Sequence, residues 1–554
     1  MSILIIKNAN IITLDPHNTK AKSLLVRNGI IEKIWNKTEP ERTEVPDGPD
    51  IEILDLKGAA LLPGFIDTHS HLLMYGQMLN YVDCRSPRNK NIGDIKGEIA
   101  ARAGKAKPGA WIMGWGYDDT LLEDKRHPNR SDLDQAAPDN PVFIRHISGH
   151  FGAANSKALE LAGIDESTSN PHGGYFTRDD NGRLDGVIHE IPALEFIFPV
   201  LPSPSSDEQI KNIGNAAKVY LSQGITTCTD AGVGLDRGIE ELNAHIAAIN
   251  SGKNPMNMRL MILHHLLREG SAFSGYTADQ LDLELKRRTK NRASLDSAKL
   301  FQDGSIQGLT GALRKPYHCD ESVYGELLHD QNKFAEEMLD LHKRGFRIAI
   351  HGNGDRAIGS ILEAFDYVLS KSPMEDHRHR IEHVQTAGSE DLDAMQRLGV
   401  AASFFINHVY YWGDRHRRIF LGEKRAARIN PLADAVDRNL LFTLHSDCPI
   451  TPISPLFSIW AAVNRITLEG EVLGDDQKID VLEALKAMTS YGAALNFEED
   501  SAGTIEEGKR GDFVVLEADP LTCPAMELKD IPILATIISG KVVWENTEKA
   551  YIHS

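Results

Sequence analysis

Along the first sixty residues apolar positions recur with the short period of extended chain. ILIIKNANIITL is followed by SLLVRNGIIEKIW, in which Asn28-Gly29 is a type I′ hairpin signal. The last fifty residues have the same texture: GKRGDFVVLEAD, then ATIISGKVVWEN with a turn at Ser539-Gly540. Two β-rich ends around a different middle predict one small composite β-sandwich built from both termini. In the middle, short apolar runs closing on Gly, His or Asp alternate with longer segments of helical period, the pattern of repeated β-α units. Eight runs stand out: LLPGFIDTHSH (61–71), GITTCTDAG (224–232), RLMILHHL (259–266), AKLFQDGS (298–305), FRIAIHGNG (346–354), HRIEHVQTA (379–387), VAASFFINH (400–408) and LLFTLHSDCPI (440–450). Eight such units predict an α/β fold, a distorted (β/α)8 TIM barrel.

About 150 residues separate the first run from the second, far more than a βα connection uses, so a large insertion follows barrel strand 1. It contains WIMGWGYDD (111–119) and GGYFTRDDNGRLDG (173–186) among amphipathic helical segments. The expected division is residues 1–57 for the first part of the sandwich and 58–84 for the barrel start. An inserted α/β domain over the barrel mouth takes 85–215, the rest of the barrel 216–500 and the second part of the sandwich 501–554.

The 554-residue chain is 41% hydrophobic and 25% charged, an ordinary globular composition. Its formal charge of -19 repels phosphate backbones and anionic lipid, which argues against nucleic-acid and membrane partners. Five scattered cysteines fit a reducing compartment better than a disulfide framework. The N-terminal MSILIIKNANIITLD lacks the pattern of a secretion signal, and no apolar run approaches the length of a membrane span. The expectation is a cytoplasmic protein, a monomer or a homodimer.

In Asp67-Thr68-His69-Ser70-His71 the two histidines are one residue apart, so on an extended strand both imidazoles leave one face. Lys299, His351, His383 and Asp447 stand at or near the ends of four other expected strands, where barrel enzymes carry their active residues. Each has a plainer reading: His351 as a strand-end hydrogen bonder, His383 with Glu382 as a surface pair, Asp447 as a helix N-cap. Their coincidence around one barrel axis favours a shared site. Imidazoles with a carboxylate suit zinc, manganese or iron rather than calcium. Such an ion lowers the pKa of bound water toward neutrality, and Asp447 is the natural acceptor of the proton released.

LLPGFIDTHSHL, KLFQDGS, HGNGDRAI, HRIEHVQ and LHSDCP, with the closing TIEEGKRGDFVVLEADP, resemble the metal-dependent amidohydrolase superfamily and, more narrowly, amidohydrolase family 3. The resemblance spans nearly the whole chain. It implies a hydrolase of non-peptide carbon–nitrogen bonds, with metals held by His69, His71, Lys299, His351, His383 and Asp447 and with Asp447 as general base and acid. It further implies two divalent ions, zinc first and manganese or iron as alternatives, bridged by an N6-carboxylated Lys299. The opposing reading of Lys299 is an ammonium reaching solvent or paired with Asp303.

The branch resembled includes hydrolases that deformylate N-substituted formamides, which points to an acyclic N-acyl or N-formyl bond of a small molecule. Cyclic amides and aminated rings are the competing substrates, and a catalytically silent regulatory relative is the non-enzyme alternative. Trp115, Tyr117, Asp118, His150 and Glu190 of the insertion are candidate substrate contacts, or else core aromatics and satisfied polar groups. NHVYYWGDRH (407–416), expected as a loop after the seventh strand, offers Asn407, His408 and Trp412. There too the aromatics have a packing alternative. Neither a G-x-S-x-G elbow nor a phosphate-binding G-x-x-x-x-G-K-[ST] loop is present.

Overall fold

The computed structural model describes residues 2–17, 19–41, 51–149, 151–171 and 173–549. The eight expected runs each contribute a strand: β1 (Phe65–Ser70), β2 (Ile225–Val233), β3 (Asn257–Leu263), β4 (Ala293–Phe301), β5 (Ile348–Gly352), β6 (Arg380–His383), β7 (Ala401–Phe404) and β8 (Phe442–Leu444). They form one sheet in chain order with every pairing parallel. At the seam, Thr68 Oγ1 of β1 donates to Thr443 Oγ1 of β8 at 2.8 Å. The strands are covered on both faces; all nine residues of β2 and all four of β6 are buried, polar ones included.

The intervening helices follow from their own patterns. In Asp355–Lys371 the buried residues Ile358, Ile361, Leu362, Phe365 and Val368 recur at three- and four-residue intervals, one stripe facing the sheet. Ala278–Thr289 starts on a capping box between Thr277 and Gln280. The segment expected as a loop at 407–416 is instead helix His408–Arg415, continued by a π-helical turn at His416–Phe420. Val409, Trp412 and Gly413 are among its buried residues, at helical spacing with no proline among them.

Both termini build the sandwich. Its first sheet orders the strands Ile30–Trp35, Ser23–Arg27, Ile3–Lys7 and Ile51–Asp55. The second runs Lys541–Glu545, Ile533–Ile538, Phe513–Leu516, Ala60–Pro63, Asn10–Ile12 and Lys20–Ala21. Leu4, Ile6, Leu24 and Val26 share one core with Phe513, Val515, Leu534 and Ile537. The two hairpin turns have the left-handed pairs that type I′ requires, with φ of 50° and 86° at Asn28 and Gly29 and of 50° and 69° at Ser539 and Gly540. Gly511 joins them: its N–H donates to Gly29 O and its carbonyl accepts from Gly540 N, both at 2.8 Å. Ala60–Pro63 is separated from β1 by Gly64 alone, so the sandwich fixes the strand that carries His69.

The inserted segment forms a compact unit of its own, Met74–Asn212. Its six-stranded sheet has the order Tyr175–Arg178, Leu184–His189, Phe151–Ala154, Val142–His146, Ile112–Tyr117, Val82–Asp83.

Candidate metal centre

His69, on β1, is fully buried, and His71 follows the strand's last residue. Their Nε2 atoms lie 3.3 and 3.2 Å from Asp447 Oδ1, three residues beyond β8, and the three ligand atoms fall within 4.8 Å of one another. Room for His71 comes from Gly232 at the end of β2, where a Cβ would stand 3.0 Å from His71 Nδ1. On the adjoining side of the barrel, His351 Nδ1 and His383 Nε2 approach to 3.0 Å. The ring of His69 is 5.0 Å from that of His383, centroid to centroid.

Hydrogen bonds on the far ring atoms fix which nitrogens are available. His69 Nδ1 is 2.6 Å from Glu382 Oε2, and His351 Nε2 lies 3.0 Å from both Gly304 O and Asn353 Nδ2. Each ring's other nitrogen, His69 Nε2 and His351 Nδ1, is turned into the site.

Glu382 and His383 are adjacent on β6, yet both reach this region. Strict alternation would send them to opposite faces. His383 and Val384 escape it by entering the left-handed region, at φ 72° and 48°. Asp447 does the same at φ 52°. Non-glycine residues rarely stay there unless their surroundings impose it.

Lys299, on β4, is buried, and its Nζ has no hydrogen-bond partner among the described residues. Burial pulls its ammonium down to about 8. The alternative in which it reaches solvent or pairs with Asp303 is not what the fold builds. Asp303 accepts instead from the backbone N–H groups of Ala312, Asn353 and Gly354. Likewise His383 and Glu382 are interior residues rather than a surface pair, and the helix beyond Pro449 is capped by Ser454, not Asp447. Burial opposes charge on Asp447, but the contacts with His69 and His71 hold it well below the usual carboxylate range. Burial likewise takes His351 down to about 3.

Two residues at the site have no part in the sequence-based ligand set. Glu382 is one. His445 is the other: its ring lies 4.6 Å from that of His69, both its nitrogens lack hydrogen-bond partners among the described residues, and burial keeps it neutral. Their signal lay in R-x-E-H and H-x-D, where residues two apart share a strand face.

Other candidates are spent elsewhere. Asn407 donates to Thr451 Oγ1 and accepts from Ser458 Oγ, holding the segment after β8. His408 packs against Phe405 at 4.0 Å, and Trp412 is buried on the same helix. In the insertion, Trp115 is buried, Tyr117 belongs to the unit's own core with its OH 3.2 Å from His127 Nδ1, and Asp118 accepts from Thr120 N and Oγ1. Glu190 is half-buried just past strand Leu184–His189, and His150 lies outside the described residues.

Asp118, Asp119 and His146 also converge within the insertion. There, however, Ser148 N–H donates to His146 Nδ1 at 3.1 Å, which leaves the ring proton on Nε2, 3.2 Å from Asp119 Oδ1. That nitrogen carries the ring proton without a hydrogen-bond partner among the described residues, and so offers no lone pair to a cation. The donor set at the barrel strand ends fits a divalent ion; this one does not.

An amidohydrolase family model matches residues 52–544. The chain belongs to the amidohydrolase family. It is therefore a hydrolase acting on carbon–nitrogen bonds of a small-molecule substrate, dependent on a divalent metal. An N-substituted formamide deformylase of Arthrobacter pascens is 29% identical over 99% of this chain and 99% of its own length. Protein LONG AFTER FAR-RED 3 of Arabidopsis thaliana is 29% identical over 98% of this chain and 91% of its own. An uncharacterized metal-dependent hydrolase from Pyrococcus horikoshii OT3 superposes on the amidohydrolase with a TM-score of 0.76 at 26% identity, over 95% of this chain and 99% of that one. No helix among the described residues is long and apolar enough to cross a membrane.

Proposed function

We infer that this amidohydrolase cleaves an acyclic, non-peptide N-acyl or N-formyl bond of a small molecule at a two-metal centre. The observation that carries the reading is the convergence of His69 Nε2, His71 Nε2 and Asp447 Oδ1 within 4.8 Å, beside the facing nitrogens of His351 and His383. These five residues and Lys299 are the ligand set. A nitrogen-rich set of this kind suits zinc, with manganese or iron also accommodated. When bound, the metal supplies Lewis acidity that acidifies water and polarises the amide carbonyl.

The chain's own groups do the rest. Asp447 takes the proton of the attacking water and returns it to the leaving nitrogen as the carbon–nitrogen bond breaks, so the proton count closes over one turnover. His445, neutral and with no side-chain hydrogen-bond partner among the described residues, offers an N–H to the substrate oxygen. As an ammonium Lys299 would repel cations; addition of its amine nitrogen to carbon dioxide with loss of one proton would give an anionic carbamate, which would supply oxygen ligands to the metal centre. Its burial and missing hydrogen-bond partner support that assignment. The deformylase similarity supports the acyclic substrate class, and five free cysteines, three of them buried, support a reducing cytoplasmic setting.

The test is a hydrolysis screen of metal-replete protein over formamides, N-acyl amino acids, cyclic imides and aminated heterocycles. Turnover confined to the first two classes is expected, and preferential turnover of rings would overturn the substrate assignment. One ion per chain with an unmodified Lys299 in a metal-replete crystal structure would overturn the two-metal reading. Purified protein that takes up no metal would point to the silent relative.

A further inference from the structure

Barrel interiors are ordinarily filled by branched apolar side chains. Below the site this one is ionic. Arg380 and Glu382 on β6 have no exposed surface, and Asp296 on β4 is 4% exposed. Arg380 Nε donates to Glu382 Oε1 at 2.6 Å, while its Nη2 donates to Asp296 Oδ1 at 3.0 Å and to Thr68 O at 3.2 Å. Arg347 Nη2 occupies the other oxygen of Asp296 at 2.5 Å. A buried ion cluster is a poor source of stability, because apolar side chains of equal volume often do as well or better. Its use must lie in what it fixes.

One oxygen of Glu382 is taken by Arg380, and the other is 2.6 Å from His69 Nδ1. A guanidinium only donates and a carboxylate only accepts, so Glu382 holds a proton on His69 Nδ1 and turns Nε2 toward Asp447 and His71. We propose that Glu382, clamped by Arg380, is a positioning residue that fixes the tautomer and ring orientation of His69, so that Nε2 is presented as a ligand before any metal arrives. This rests on His69 being a metal ligand.

The isosteric Glu382→Gln is the discriminating variant. Arg380 Nε–H requires an oxygen opposite it, so the new NH2 faces His69, turns Nδ1 into an acceptor and drives the ring proton to Nε2. Zinc affinity of the full-length, metal-stripped protein should fall about 10- to 100-fold. Histidine ring 15N spectra of the metal-free protein should show a proton on His69 Nδ1 in the wild type and none there in E382Q, a change that loss of packing alone would not produce. Wild-type zinc affinity or an unchanged tautomer in E382Q overturns the proposal. If E382Q does not fold, Arg380→Lys decides: it keeps the charge but loses the fork, and a several-fold weaker zinc affinity is expected, whereas wild-type affinity overturns the proposal. His69→Ala separates the two layers of argument. Zinc binding retained in H69A removes the ligand reading itself, while binding lost in H69A and intact in E382Q removes only the role of Glu382.

Discussion

His383, Val384 and Asp447 hold left-handed φ angles that cost a non-glycine residue roughly 1–2 kcal/mol each. The strain sits on the residues that turn β6 and the β8 extension toward the site. Asp447→Ala should therefore be less stable to urea than Asp447→Gly by about 1 kcal/mol, although both have lost the carboxylate; equal midpoints would mean that the backbone at Asp447 relaxes. Asp447→Asn keeps shape but cannot accept a proton, and kcat should fall by roughly 10²–10⁴ with unchanged circular dichroism. Activity within tenfold of wild type would remove Asp447 from proton transfer. The grouping of His69, His71, His351, His383 and Asp447 was legible because each stands at the close of an apolar run, whereas Lys299, followed by Leu300 and Phe301, lies inside its strand. Glu382 and His445 were harder to read, since their importance arises from His69 on another strand, whose Nδ1 meets the one and whose ring lies beside the other.

At the scale of elements, the strongest local signals were those written in backbone chemistry. Asn28-Gly29 and Ser539-Gly540 specify their hairpins directly, and the eight strands announced themselves as buried runs. Helix His408–Arg415 was obscured because its aromatic and charged residues resemble those of a binding loop; only the spacing of Val409, Trp412 and Gly413 marks a buried stripe. How the sandwich strands interleave was not legible, since pairing Phe513–Leu516 with Ala60–Pro63 depends on register across hundreds of residues. Gly29 is the most exacting position in that arrangement. At φ 86°, with a Cβ that would lie 3.0 Å from Ser539 Cβ, Gly29→Ala should destabilise the protein by about 1–2 kcal/mol. Chemical denaturation measures it, and a loss under 0.5 kcal/mol would show that the two turns yield easily.

For the whole molecule, stability should track both metal and pH. A ligand bound only by the folded state adds about 3 kcal/mol at a hundredfold excess over Kd, so chelation should lower Tm and abolish hydrolysis, and zinc should restore both. At the other end of the barrel, His379 Nδ1 accepts from Ile348 N at 3.1 Å and its Nε2 donates to His342 Nδ1 at 2.9 Å, while His342 Nε2 donates to Ser372 O at 2.8 Å. His377 Nδ1 accepts from His379 N, and its Nε2 donates to Leu398 O. Every ring needs one bare nitrogen, and burial pushes His379 well below, and His377 below, the ordinary value of 6.5. The unfolded chain binds more protons as pH falls below about 6.5, so the stability these two histidines contribute is intact above that pH. It is lost toward their folded values, at up to about 1.4 kcal/mol per group per pH unit. Unfolding midpoints of metal-free protein between pH 7.5 and 5.5 measure this, and His379→Gln should flatten the slope. The woven sandwich also constrains the order of events during synthesis. Strands Asn10–Ile12 and Ala60–Pro63 are made first, but the neighbour that joins them to the rest of their sheet, Phe513–Leu516, leaves the ribosome some 450 residues later. For most of translation the segment leading into His69 has a bare edge, open to chaperones or to the same segment of another nascent chain.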